Sequence, residues 1–266
     1  MRHAVSIKGN FINPFGTPVY NDLIRETLLP YASPGTELII TNTTEVPENI
    51  DYYYNKHIVE LGVMEEVMRA EEAGFDAVIV GCCYDPGVRV ARELVDIPVI
   101  GPLEASMQMV SYFGHDYVVV TDHHKAVPYL RDLVLVYGGT NCRDVSCINW
   151  WVTDMIRDTA GVARDAQAAV KRVLESTGAE AAILGCTIIS AATEKWLRDH
   201  GAPRDLTILN PNTMALKMAE SMAHLKTSGV YNINRGGYYQ KPQQHNAEEF
   251  AMVRARFGKA GPSARS

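Results

Sequence analysis

Short apolar runs alternate with longer stretches of helical spacing along this chain. Seven runs, Ala4–Ile7, Glu37–Thr41, Ala77–Gly81, Val99–Gly101, Tyr117–Thr121, Ala181–Gly185 and Thr207–Leu209, are short and mostly β-branched. Gly, Pro or polar residues bound them, which predicts strands. Between them, Val19–Leu29, Lys56–Ala73 and Val162–Ser176 repeat apolar residues at helical spacing. In the second of these, Ile58, Leu61, Val63, Met64, Val67 and Met68 form one broad face. Continuous apolar strands are buried on both faces, so the pattern predicts parallel sheets covered by helices, an α/β fold. Ligands of such sheets sit at the carboxyl ends of the strands.

One segment occurs twice. Residues 71–83 read EEAGFDAVIVGCC and residues 175–187 read ESTGAEAAILGCT. Without gaps, Glu71 matches Glu175, Gly74 matches Gly178, Ala77 matches Ala181, Ile79 matches Ile183, Gly81 matches Gly185 and Cys82 matches Cys186. Each copy reads as a helix end, a glycine turn, a buried strand and then Gly-Cys. The repeat predicts two duplicated, pseudo-two-fold-related Rossmann-like α/β units with parallel sheets and an active site in the cleft between them. Residues 1–110 and 209–228 would form the first unit, 111–208 the second, and 229–266 an appended tail. Val5–Ile7 would then be the counterpart of Val118–Val120. The tail is polar and rich in Gly and Tyr, with a short helix expected near Ala247–Arg256 and disorder over residues 261–266. Its Tyr231, Tyr238, Tyr239 and Phe250 predict docking, over the first unit or onto a neighbouring subunit.

Composition narrows the function. The chain has 266 residues, 47% hydrophobic and 21% charged, which excludes disorder, collagen and coiled coil as whole-chain readings. A net charge of −6 argues against nucleic acid as the partner and leaves a small molecule. No run approaches the roughly 20 apolar residues of a membrane span. The N-terminus lacks the apolar core of a signal peptide. Five cysteines are too few for a disulfide scaffold. The expectation is a cytoplasmic homo-oligomer with free thiols. Cys142 and Cys147 lack zinc-site spacing, and no nucleotide, metal or serine-hydrolase motif is present, so no metal or cofactor is expected.

The candidate chemistry lies in the matched cysteines. Both follow strands, and both are expected beside helix N-termini, with Asp85 and Pro86 opening one helix and Ser190 and Thr193 available as caps in the other. Lowering a thiol pKa by two units takes about 2.7 kcal/mol. A helix terminus typically supplies about 0.3–1 kcal/mol, so direct hydrogen bonds must supply the rest.

The stretch AVIVGCCYDPGVRVARELVDIPVIGPLEASM resembles the signature of hydantoin and allantoin racemases, within the aspartate/glutamate racemase superfamily. The matching residues are Cys82, Asp85, Pro86 and Gly87, then Ala91-Arg92-Glu93, Pro98-Val99-Ile100-Gly101 and Glu104-Ala105. Leu184-Gly185-Cys186, Val120-Thr121 and Asn13-Pro14 match further motifs, and the resemblance spans roughly residues 1–225. It implies a cofactor-free isomerase with a two-base mechanism: one cysteine as thiolate removes a proton beside a carbonyl, and the other as thiol returns one to the opposite face. Cys82 and Cys186 are the implied catalytic pair. Asn13, Thr43, Cys83, Thr121 and Thr187 are the candidates for holding the substrate, an anionic small molecule or a cyclic ureide, and His123 is a further candidate contact. The chain departs from the pattern at Phe15-Gly16, at Asp122-His123-His124 and at Thr187-Ile188-Ile189. These departures bear on the substrate. The alternatives are cis–trans isomerisation of a diacid, as in maleate isomerase, decarboxylation within the same superfamily, or a thiol-based binding or redox sensor.

Overall fold

The computed structural model describes residues 6–203 and 205–257. The strands form two four-stranded sheets in which every pair is parallel. In the first, β1 (Ile7–Asn13), β2 (Thr36–Asn42), β3 (Ala77–Val80) and β4 (Val99–Ile100) lie in the order β2-β1-β3-β4. In the second, β5 (Tyr117–Thr121), β6 (Cys142–Cys147), β7 (Ala181–Leu184) and β8 (Thr207–Leu209) lie in the order β6-β5-β7-β8. The two orders correspond strand for strand.

A helix follows each strand: α1 (Asn21–Leu28), α2 (Tyr53–Glu72), α3 (Val88–Leu94), α4 (Pro102–Met109), α5 (Ala126–Val136), α6 (Thr159–Thr177), α7 (Thr187–His200) and α8 (Pro211–Thr227). The last helix of each set reaches across. α8 packs on β1, β3 and β4, while α4 packs on α8 and touches β7. Among the described residues no helix is long and apolar enough to cross a membrane.

Burial explains which strands the pattern reveals. Every residue of β3, β5 and β7 is buried, as their unbroken apolar runs require. The first strand differs from expectation. Residues 4 and 5 lie outside the described residues, and β1 runs from Ile7 to Asn13. The reason is register. The Gly81 N–H donates to Ile12 O and the Gly185 N–H donates to Val120 O, both at 2.8 Å. Ile12, not Ile7, is therefore the counterpart of Val120. The edge strand β6 was not expected, because its sequence CRDVSC has one fully buried position, Val145.

The glycines that end β3 and β7 leave no room for a side chain. A Cβ on Gly81 would strike the Phe11 ring and stand 2.9 Å from Ile12 O. A Cβ on Gly185 would stand 2.7 Å from Val119 Cγ1.

The tail adds α9 (Pro242–His245) and α10 (Ala247–Phe257) and folds back on its own chain. Arg235 donates to Arg92 O at 2.8 Å and to Asp96 at 2.7 Å, and it also reaches Val95 O. It thereby fills the unpaired carbonyls at the end of α3. Lys241 pairs with Asp96 at 2.7 Å, and Arg254 with Glu65 of α2 at 3.3 Å. Of the four aromatic residues expected to dock, Tyr231 and Tyr238 stay exposed and Phe250 packs against the core, so the charged contacts and the Phe250 ring fasten the segment. The expectation for residues 261–266 lies outside the described residues. Arg235→Ala should lower the melting temperature by roughly 2–6 °C, from a loss of about 1–2 kcal/mol. An unchanged melting curve would mean the clamp is only superficial.

Candidate active site

The carboxyl ends of β3 and β7 meet. The Thr187 hydroxyl donates to Gly81 O at 2.9 Å, and the Cys83 thiol donates to Leu184 O at 3.6 Å. Each contact ties one sheet's end to the other's. Cys82 and Cys186, which directly follow Gly81 and Gly185, are 5% and 6% exposed, so neither thiol is open to bulk water.

Their local settings differ. Cys186 is the N-cap of α7, as expected. Cys82 instead sits in a tight turn, with the Asp85 N–H donating to Cys82 O at 3.0 Å, several residues ahead of α3. Asp85 does not cap α3. It adopts a left-handed conformation (φ 45°), and its carboxylate accepts from the N–H groups of Leu103 (3.2 Å) and Glu104 (3.0 Å), so it caps α4. Gly101 makes this possible, because a Cβ there would stand 2.5 Å from the Asp85 carboxylate. Gly87 occupies the N-cap of α3. Ser190 and Thr193 are interior to α7 rather than caps, and the Ser190 hydroxyl donates to Cys186 O at 2.7 Å.

Electrostatics separate the two thiols further. Burial pushes Cys82 up; the Tyr84 N–H and the Lys56 ammonium favour its thiolate, while Asp122 and Asp85 oppose it. Burial also pushes Cys186 up, as do Asp122 and Cys82 itself; the Ile189 and Ile188 N–H groups of the first turn of α7 favour its thiolate. One thiol therefore has a cation, and the other has a helix terminus.

The remaining strand-end residues divide into two sets. Thr121 donates to Gly185 O at 2.9 Å, so its hydroxyl, like that of Thr187, is taken by a protein carbonyl. The Cys83 sulfur is similarly occupied at Leu184 O. Asn13 and Thr43 are free to bind. Asn13 is fully buried and donates to Asn21 at 3.0 Å, but its Oδ1 accepts nothing. Thr43 lies beside it through its N–H to Asn13 O at 3.1 Å, and its buried Oγ1 is unpaired. His123 is buried and stacks on Trp151, with ring centroids 3.7 Å apart. Burial, His124 and Lys125 all hold its pKa below the usual value. His124 is exposed.

The sequence pattern assigns no role to Asp122, Asp51 or Lys56. Asp122 follows β5, is 3% exposed, and accepts from Tyr84 Oη at 2.9 Å and from the His123 N–H at 2.7 Å. Asp51 accepts from the Val152 N–H at 3.2 Å, while its Oδ1 is unpaired. Burial and Asp122 push its pKa up to about 7, against the pull of the Val152 N–H and Lys56. Lys56, on the first turn of α2, is 3% exposed, and its Nζ lies 3.9 Å from the centre of the Tyr84 ring. Trp151 stacks on Tyr52 with ring centroids 5.8 Å apart as well as on His123, while Tyr20 donates to Val152 O. A signal for Lys56 was present: residues 56, 59, 63, 67 and 70 follow helical spacing, and all are buried.

The family model for Asp/Glu/Hydantoin racemases matches residues 10–219. The chain belongs to this family. It is 29% identical to a hydantoin racemase of Rhizobium meliloti over 80% of its own length and 87% of that protein's. It is also 29% identical to a hydantoin racemase of Pseudomonas sp. (strain NS671), covering 84% of this chain and 89% of the other. Among solved structures, an allantoin racemase from Klebsiella pneumoniae superposes with a TM-score of 0.79 at 27% identity, covering 89% of this chain and 94% of that one. A glutamate racemase from Bacillus anthracis shares the fold, with a TM-score of 0.58 at 16% identity over 86% of this chain and 84% of that one. The enzyme is a racemase, and so an isomerase.

Proposed function

We propose that this racemase inverts a carbon next to a carbonyl in a hydantoin- or allantoin-like cyclic ureide, or in a related amino-acid derivative, by passing protons through Cys82 and Cys186. The observation that carries this reading is the pairing of two buried thiols at corresponding ends of β3 and β7, where the two sheets meet. Inversion without a cofactor needs two groups of similar acidity on opposite faces of one carbon, in opposite protonation states. The duplicated unit supplies the groups: burial pushes both thiols up, and the Tyr84 N–H and Lys56 on one side and the first turn of α7 on the other work against it.

In the forward direction one thiolate takes the α-proton. The C–H electron pair moves into the carbonyl, giving an enolate. The thiol on the opposite face then gives its proton to the same carbon and becomes the new thiolate. The next turnover of the other enantiomer runs in reverse. Burial removes water that would blunt a thiolate as a base. Thr43 Oγ1 is available to donate to the developing oxyanion, and Asn13 Oδ1 to accept a ureide N–H. Two thiols in place of one separate this reading from a decarboxylase with a single proton donor. Cytoplasmic location and homo-oligomeric assembly belong to the same proposal. The five free thiols support the first, and the symmetry habits of soluble enzymes support the second.

The test is incubation of single enantiomers of allantoin and of a 5-substituted hydantoin in heavy water. The expected result is loss of optical rotation matched by one deuterium in the inverted product, with little in the remaining substrate. Rates no faster than without enzyme on both compounds would overturn the reading.

A further inference from the structure

Lys56 presents a buried cation with nothing to hold. It is 3% exposed, and no acceptor among the described residues lies within hydrogen-bond reach of its Nζ. Three tyrosine rings surround it, with centroids 3.9 Å (Tyr84), 4.9 Å (Tyr53) and 5.1 Å (Tyr129) from Nζ. The ring faces attract a cation but do not replace oxygen acceptors for its three N–H donors. The hydroxyls of these rings are turned to other partners: Tyr84 to Asp122, Tyr53 to Lys125 O and Tyr129 to Tyr84 O. Burial holds the Lys56 pKa below its usual value, against the charges of Cys82, Asp122 and Asp51, yet none of the three forms a hydrogen bond with it. Burying an ammonium without an acceptor is unfavourable, so an anion that enters this space gains what the protein withholds.

Three further buried unpaired groups lie at the same end of the first sheet. Asn13 Oδ1 closes β1, Thr43 Oγ1 follows β2, and Asp51 Oδ1 stands just before α2. They offer hydroxyl, amide and carboxyl oxygens, suited to carbonyl and N–H groups of a ligand, and Lys56 is the sole cation among the four. We infer that Lys56 is the anchor for a carboxylate of the substrate, so that this enzyme selects an acidic compound over a neutral one of the same shape. The inference rests on the racemase reading above and names the class of substrate within it. The cage gives selectivity a physical basis: it fixes the ammonium in place, so a carboxylate meets it without ordering a flexible side chain.

Hydantoin-5-acetate and hydantoin-5-acetamide separate the possibilities, since they differ chiefly in charge. Single enantiomers are followed by inversion at C5, and binding to the intact enzyme is followed by calorimetry. The wild-type enzyme should favour the acid by about 30-fold in kcat/KM and in affinity, which is ~2 kcal/mol at about 1.4 kcal/mol per tenfold. Lys56→Met should bring that ratio within about threefold, and Lys56→Arg should keep part of it. The Lys56→Met variant should melt no lower than wild type, because an apolar chain of similar length replaces a buried charge.

A role confined to helping Cys82 predicts something else: both probes slow together, and the ratio survives. That outcome overturns the anchor, as does a wild-type enzyme with no preference or with no binding of the acid. Inversion of both probes without preference would leave the racemase reading standing and remove the anchor. Lys56-dependent binding of the acid without inversion would do the reverse.

Discussion

Cys82→Ser and Cys186→Ser should each lower racemisation by at least about a thousandfold, the upper part of the range for losing a general acid or base. Serine keeps the size and the hydrogen bonds of the thiol but is far too weak an acid to cycle between its two protonation states here. Each variant retains one thiol on one face. Each should therefore still exchange the α-proton of one enantiomer for deuterium without inverting it, and the two variants should choose opposite enantiomers. Proton NMR of each enantiomer in heavy water reads this directly. Wild-type racemisation in either variant would end the two-base scheme, and so would exchange of the same enantiomer by both. Because the two sites differ in electrostatics, with Lys56 near one thiol and the first turn of α7 at the other, the residual exchange rates should be unequal.

Gly81→Val should be strongly destructive to the fold. The added Cβ stands 2.9 Å from the carbonyl oxygen of Ile12 and overlaps the Phe11 ring, at a point where β3 is hydrogen-bonded to β1 and the thiol follows immediately. A backbone atom in a central strand cannot give way as the tip of a flexible side chain can. We expect a loss of about 3 kcal/mol or more, read as insoluble protein or a melting temperature lower by roughly 6 °C at least. Gly237→Ala is the control, since nothing stands within 4 Å of a Cβ there, and it should melt like wild type. Equal melting of the two variants would mean that the strand end tolerates a spread this structure does not contain.

What the chain discloses on reading follows its physics. β3, β5 and β7 are legible because a central parallel strand is buried on both faces and so must be apolar throughout. The likeness of β3 and β7 around Gly-Cys places two thiols at corresponding strand ends from the sequence alone. β6 is illegible for the opposite reason. It is an edge strand, half exposed, with alternating polar residues. β1 was read too early because Lys8 and Asn10 interrupt its apolar run, although the Lys8 ammonium lies 4.4 Å over the Phe75 ring. Asp85 was assigned to the nearest helix, but its carboxylate caps a helix that begins 17 residues further on, a choice set by tertiary structure. Lys56 hid behind its charge, and only the spacing of its buried neighbours marks it. Asp51 has no local signal, because its partner Val152 lies 101 residues away.

The crossing of α8 sets an order on synthesis. The second sheet is drawn from one continuous stretch, β5 to β8, and every strand pair in it is available once Leu209 has been made. The first sheet precedes the second, yet the helix that packs on β1, β3 and β4 is Pro211–Thr227, made after the second sheet is complete. A chain leaving the ribosome therefore carries β1, β3 and β4 with that side uncovered until the whole second sheet has been made. The first sheet is finished after the second, and its apolar strands β1, β3 and β4 are the surface a chaperone would have to shield in the meantime.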